Sequence, residues 1–354
     1  MKIAINYIPK KGCWGGGNQF VKSLVKASYH EGYEIVYDLK QKDIDIILLT
    51  DPRSFNQEIT FGSLEIFNYI LFVNKNVIVV HRINECDERK NTRHINILLK
   101  VANYFSDHTV FISSWLKTLD IYYKNKSSSV ILNGGDEKIF NDYDNREWSK
   151  EEKLRLITHH WSSNRMKGFD VYEKIDNMIS TKKWNERIEF TYVGNLPKDF
   201  KFKNTNHILP LSGEELSREL SKHHVYVTAS INEPAGMHHI EGILCGLPII
   251  YKNSGAVPEY CKDFGISFEN NDFKLALEKM IENYKYFKIK TKDYPNKSSK
   301  MVKEYFNLFK TLLKNKNKIV NGRKIFREPF FVFFNFIFYL LNLKKFFKKV
   351  INNF

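Results

Sequence analysis

The chain has 354 residues, 43% hydrophobic and 15% aromatic, enough to bury more than one core, which excludes a disordered or fibrous protein and makes two domains the expectation. Its four cysteines, Cys13, Cys86, Cys245 and Cys261, show no metal-ligand spacing and read as reduced structural thiols of a cytoplasmic protein. The net charge of +15 is concentrated late, since from Lys310 onward eleven Lys and Arg face one acidic residue, Glu328; the other aromatics do not interleave with basic residues as a nucleic-acid platform requires.

The opening MKIAINYIPKKG is too short an apolar run for a signal peptide and reads as a first strand and loop. Strands are predicted at KIAIN, DIIL, VIVVHRI, HTVFIS and SVILN, alternating with helical stretches such as NQFVKSLVKASYH, the pattern of βαβ units and a parallel sheet. After the first strand, KKGCWGGGNQF sets Gly15, Gly16 and Gly17 before a helix, where glycine lets the backbone approach a phosphate and the helix start offers N–H groups. A dinucleotide fingerprint beginning at Gly15 and Gly17, with Asp38 as its ribose acid, would need a third glycine where Phe20 stands, which weighs against an oxidoreductase or epimerase. His81 ends the strand VIVVHRI; Arg82, Asn84 and Asp87 follow it, and Glu85, Glu88 and Arg89 read as a solvated face.

The charged segment NDYDNREWSKEEK has no apolar period and reads as a linker. Beyond it the alternation restarts with RLITHHW, IEFTYVG, VYVTAS and LPIIYKN, giving a first domain over 1–142, a second over 143–296, a helical stretch over 297–318, and a basic, Phe-rich tail over 319–354. HHWSSNRMKG carries Asn164, Arg165 and Lys167. In INEPAGMHHIEGILCGLP, Glu233 falls in a loop at a strand's carboxyl end, where ligands gather in open α/β sheets. Gly236 and Met237 begin the next helix, offering N–H groups to an anion, and Glu241 lies about one turn in. His238 and His239, adjacent on a helix, point about 100° apart and do not share a metal.

The stretch EPAGMHHIEGILCGLPIIYKNSGAVPEY resembles the E-x7-E region of retaining glycosyltransferases of the GT-B fold, in particular the family 4 group. GGGNQF, ILNGGDEKIF and SSNRMKGFD are similar to that family's segments in the same order, so the resemblance spans residues 1–315. It implies an α/β chain of two Rossmann-like domains facing across a cleft, the second holding a UDP- or GDP-type nucleotide-sugar and the first an acceptor, with the helix over 297–318 crossing back to the first domain. By the resemblance, His81, Glu233 and Lys167 are catalytic candidates; Gly16, Gly17, Asn164, Arg165, Gly236, Met237 and Glu241 bind the donor, with Glu241 on the ribose; Arg82 and Asn84 meet the acceptor. No metal or other cofactor is implied. One departure stands out: the family's arginine five positions before this lysine is Ser162 here, leaving Arg165, or His159, His160 and Asn164, to complete the phosphate site. A non-catalytic GT-B-like scaffold and, less favoured, a Rossmann oxidoreductase or epimerase are the alternatives.

In the tail, Phe330–Leu343 is apolar apart from Asn335 and Asn342. As a helix it spans about 21 Å, short of the roughly 30 Å hydrocarbon core. An amphipathic helix in the membrane interface is therefore expected, with Lys344, Lys345, Lys348, Lys349 and the run from Lys314 to Arg327 drawn to anionic lipid. The expected setting is the inner face of a membrane, with a glycan or lipid-linked acceptor from polysaccharide or lipopolysaccharide synthesis and no nucleic-acid partner.

Overall fold

The structure, a computed structural model, describes residues 1–12, 15–53, 58–143, 147–270 and 272–323. In chain order the first half contains β1 (Lys2–Ile5), α1 (Gly16–His30), β2 (Glu34–Val36), β3 (Ile46–Leu49), α2 (Ser63–Phe72), β4 (Ile78–Ile83), α3 (Ile95–Tyr104), β5 (His108–Phe111) and β6 (Ser128–Val130). The second contains β7 (Leu154–His160), α4 (Phe169–Ile179), α5 (Lys182–Asn185), β8 (Ile188–Gly194), β9 (Asn206–Ile208), α6 (Gly213–Ser221), β10 (Val225–Thr228), α7 (Met237–Leu244), β11 (Ile249–Lys252), α8 (Val257–Cys261), β12 (Gly265–Phe268) and α9 (Phe273–Thr291). Two last helices follow, α10 (Ser298–Lys314) and α11 (Lys316–Asn321).

Each half is a six-stranded parallel sheet, ordered β2-β1-β3-β4-β5-β6 in the first and β12-β11-β10-β7-β8-β9 in the second. Every residue of β3 and β4 is buried, as strands covered by helices on both faces require. β9 and β12 escaped the sequence reading because three or four residues beside polar neighbours carry no readable period. The charged linker is anchored at its second half, where Trp148 lies edge-on to Tyr284 of α9, ring centroids 5.6 Å apart.

α10 buries Met301, Val302, Tyr305, Phe306, Phe309 and Leu312, a stripe at helical spacing, against Ile3, Ile5, Phe20, Val21 and Leu24 of the first domain. Burying each such side chain contributes about 1.5–3 kcal/mol. Beyond α11, the Arg323 guanidinium is buried between Asp107 and the carbonyls of Lys75 and Val77, with Nε 2.8 Å from Asp107 Oδ1. Of the basic run from Lys314 to Arg327 expected to face lipid, Arg323 alone is corrected, being turned into the protein, while Lys314 and Lys318 are exposed and Lys324 and Arg327 lie outside the described residues. The Phe-rich segment lies outside the described residues, among which no helix is long and apolar enough to cross a membrane.

A continuous apolar cluster joins the two halves, with Ile83, Cys86, Phe111 and Ile112 on one side and Tyr226, Ile240 and Tyr260 on the other. Tyr260 Oη donates to the Ile112 carbonyl at 2.6 Å and accepts from Asn133 N at 2.9 Å. Glu259 accepts from both the backbone N–H and the hydroxyl of Ser114. Cys86, Cys245 and Cys261 are buried free thiols.

Candidate active site between the two domains

The carboxyl ends of both sheets open into one cleft of about 840 Å³. In each sheet the cleft lies over the point where the strand order reverses, between β1 and β3 in one and between β7 and β10 in the other, where diverging loops leave a crevice. The loop after β1 brings Gly15, Gly16 and Gly17 to the rim. Among the described residues no side chain caps α1 there, and Gly16 and Gly17, whose N–H groups belong to its first turn, line the cleft where an anion would meet them. Asn18 closes this loop by accepting from Lys10 N at 2.7 Å and donating to its carbonyl at 3.0 Å. A Cβ on Gly16 would stand 2.7 Å from Met237 Cγ across the cleft, so a larger residue there would have to displace that side chain.

On the opposite wall, a single 3₁₀ turn over Arg165–Lys167 follows β7. Asn164 caps it by accepting from Met166 N at 2.8 Å, and Gly168, at φ +95, adjoins Ala229 so tightly that a Cβ would lie 2.4 Å from the Ala229 carbonyl oxygen. The turn therefore delivers Lys167 to the cleft in one orientation. The loop after β10 is held from behind by the SGAVPEY segment: Ser254 Oγ accepts from Asn232 N at 3.0 Å, and Ala256 N donates to the Glu233 carbonyl at 2.9 Å.

Lys167 Nζ donates to Glu233 Oε2, and both side chains are buried, the residues being 8% and 3% exposed. From the first domain, Arg89 places Nε 3.4 Å from Glu233 Oε1 and Nη1 3.0 Å from Glu85 Oε2, while Lys90 also meets Glu85, at 3.1 Å. Burial works to raise the Glu233 pKa, but Lys167 and Arg89 outweigh it and hold the carboxyl down to about 2. Burial lowers the Lys167 pKa, with Glu233 acting in the opposite sense.

Glu241, inside α7, accepts at Oε2 from His159 Nε2 at 2.8 Å, and the other ring nitrogen of His159 lies 3.1 Å from Tyr226 Oη. Behind this pair His160 meets Tyr172 Oη at 2.7 Å and His238 meets Thr228 Oγ1 at 2.8 Å. Neither ring nitrogen of His239 has a partner among the described residues. Burial pushes His160 and His238 well below the usual histidine range and His239 to about 3, so these three rings are neutral. Among the described residues no group of three or more His, Cys, Asp or Glu is placed to hold a metal ion.

Two facing parallel sheets with a shared cleft recur in solved structures. Sucrose-phosphate synthase from Thermosynechococcus elongatus superposes with a TM-score of 0.62 at 12% identity, over 88% of this chain and 99% of that one. HepE from Anabaena, solved with UDP and glucose, gives 0.60 at 11% identity over 88% and 99%, and a glycosyltransferase from Rickettsia africae gives 0.58 at 14% over 89% and 98%. Residues 187–301 match the family described as glycosyl transferases group 1. The chain has the GT-B glycosyltransferase fold. No curated protein matches it in sequence.

In this GT-B chain the residues singled out from sequence fall into three groups. Gly16, Gly17, Arg82, Asn84, Lys167, Glu233, Gly236, Met237 and Glu241 all line the cleft. Arg82 does so as part of its floor: it is 1% exposed, stacked 3.9 Å over the Phe20 ring, and donates to Asn133 Oδ1 at 2.9 Å. Asn164 lines a small adjoining cavity, and Arg165 extends away into an exposed pair with Asp199. His81 is not at the cleft. It is fully buried within β4, where its ring nitrogens have no partner among the described residues, and burial lowers its pKa to about 3, so the expectation that it stands beside the reaction centre is corrected.

The reading of Glu85, Glu88 and Arg89 as a solvated face is corrected in part as well. Glu85 is 7% exposed, and Arg89 faces Glu233, because the loop after β4 folds over the cleft. Asp87 organises that loop, accepting from Thr92 Oγ1 and the backbone N–H groups of His94, Ile95 and Asn96. Sequence reasoning missed Arg89 because its importance comes from a carboxylate 144 positions away. The nearest signal was the density of charge directly after a buried strand end.

Proposed function

We propose that the chain transfers a hexose-type sugar from a nucleotide-diphosphate sugar to a glycan or lipid-linked acceptor with retention of configuration, as a family 4-type glycosyltransferase. The observation carrying this reading is the buried Lys167–Glu233 pair at a cleft shared by two domains, with Glu241 on the helix that follows. Breaking the anomeric bond develops negative charge on the diphosphate and positive charge on the sugar ring. Lys167 and the N–H groups at Gly16, Gly17 and Met237 supply the first with stabilising dipoles and charge, so the chemistry proceeds without a metal. Glu233 serves the second. Glu241 keeps one oxygen on His159 and has lone pairs left for ribose hydroxyls.

Displacement on the same face, with the departing diphosphate helping to remove the acceptor proton, needs no protein nucleophile. The UDP and glucose in the Anabaena structure favour a UDP-type donor, with GDP as the second candidate. The basic, Phe-rich tail places the enzyme on an anionic membrane surface, where a lipid-linked acceptor is accessible. The test is a screen of UDP- and GDP-sugars, read by nucleotide release and by the anomeric configuration of the product. Release with retention is expected for at least one donor; absence of nucleotide binding by calorimetry across the set refutes the reading.

A further inference from the structure

The proposed donor diphosphate brings more charge to the cleft than one lysine balances, and the second domain offers little more. Arg165 is paired with Asp199 outside the cleft, and position 162 is a serine. Around Glu233 the structure gathers Arg53, Arg89, Lys90 and Lys167 against Asp51, Glu85 and Glu233, so four cations face three carboxylates and the assembly carries a surplus positive charge before any ligand arrives. Of these cations, Arg89 shares Glu233 with Lys167, one on each carboxylate oxygen, which brings both within reach of a single bridging anion. Its Nη2 makes no hydrogen bond among the described residues. Ser162, Arg89, Lys167 and Glu233 also line one small cavity beside the main cleft. The short serine side chain thus leaves open the space that the arginine enters from the other domain.

We infer that Arg89, contributed by the first domain, is the second cation of the diphosphate site, occupying the room left by Ser162 and held in the unliganded protein by Glu233 and Glu85. This rests on the proposed nucleotide-sugar reading. A planar guanidinium suits two phosphate oxygens at once, which a lysine at the same place does not reproduce. The arrival of the diphosphate draws Arg89 and Lys167 off Glu233 and leaves that carboxylate facing the sugar. Because the two cations belong to different domains, the diphosphate is gripped only while the cleft is closed.

The experiment compares the affinities of UDP, GDP, uridine and guanosine for the wild-type chain, Arg89→Gln, Arg89→Lys, and Arg89→Gln combined with Ser162→Arg, with thermal unfolding as a check on the fold. Removing one charged hydrogen-bonding group is expected to weaken the nucleoside diphosphate by about ten- to a hundred-fold. The matching nucleoside should bind as before. Arg89→Lys is expected to fall between, and Ser162→Arg to restore most of the lost affinity by supplying a guanidinium to the same space from the other wall. Nucleoside diphosphate binding unchanged in Arg89→Gln and Arg89→Lys overturns the assignment, as does an equal loss for nucleoside and diphosphate, which marks Arg89 as structural. Failure of the wild-type chain to bind any of the four probes refutes the nucleotide-sugar reading itself, a separate result.

Discussion

Replacing Lys167 by methionine, Glu233 by glutamine, and both together measures the charge pair on which the site is built. The two side chains are 10% and 4% exposed, so each single change strands a buried charge. Breaking a buried pair from one side costs about 3–5 kcal/mol. Lys167→Met is expected at the low end, about 3 kcal/mol, because Arg89 remains 3.4 Å from Glu233. Glu233→Gln leaves Lys167 and Arg89 without the carboxylate between them and is expected to cost at least as much. With both charges removed, the double variant should lie closer to wild type than the sum of the singles, giving a coupling of about 3 kcal/mol. The assay is urea unfolding at neutral pH, comparing midpoints at constant m-value. The Glu233 pKa offers an independent check, lowered from 4.5 to about 2, a difference equivalent to about 3 kcal/mol. That stability is fully present above pH 4.5 and is lost as pH falls through about 2, so Glu233→Gln should remove this acid dependence. Single costs that add in the double variant, within about 0.5 kcal/mol, refute the pairing.

Acid should also act through the buried neutral histidines. His81 and His239, each with a pKa near 3, stay unprotonated while the unfolded chain takes up protons below pH 6.5, so each withdraws about 1.4 kcal/mol per pH unit between those limits. His81→Leu should flatten the urea midpoint's dependence on pH between 6.5 and 5 by one proton, and an unchanged slope contradicts the burial argument. Glu241→Ala is expected to weaken nucleotide-sugar binding by about 1–3 kcal/mol with the fold retained, and calorimetry showing equal affinity rejects its ribose role. Turnover should survive EDTA, with complete and reversible loss pointing to a required metal. A chain ending after Arg323 keeps the buried Arg323–Asp107 pair and loses the Phe-rich tail. It should no longer float with anionic liposomes while retaining donor turnover, and flotation equal to that of the full chain locates the anchor elsewhere.

Much of the architecture was legible because its signals are local. Runs such as IILL and IVVHRI can be buried on both faces only as central parallel strands, and the Gly-rich turn after β1 and the glutamates around NEPAG stand at strand ends by position alone. The short edge strands β9 and β12 have too few residues to show a period. His81 illustrates how local reading errs: its place at a strand's end suggested exposure to the cleft, yet the side chain is buried in the packing around β4. Which way a residue at the end of a strand points depends on pleat and twist together, and only the first alternates visibly along a sequence.

What the sequence by itself determined was the alternation of strands and helices in two halves and the set of residue types concentrated at their strand ends, since hydrophobic period and glycine placement are properties of neighbouring residues. What only the tertiary structure decided was which charges meet. Glu233 is balanced by Lys167 from 66 positions away and by Arg89 from the other domain, His159 is set on Glu241, and Gly255 and Ala256 support the Glu233 loop from behind. Electrostatic partners are chosen by distance in space and by the removal of water around them, and a linear sequence encodes neither until two sheets have been brought face to face.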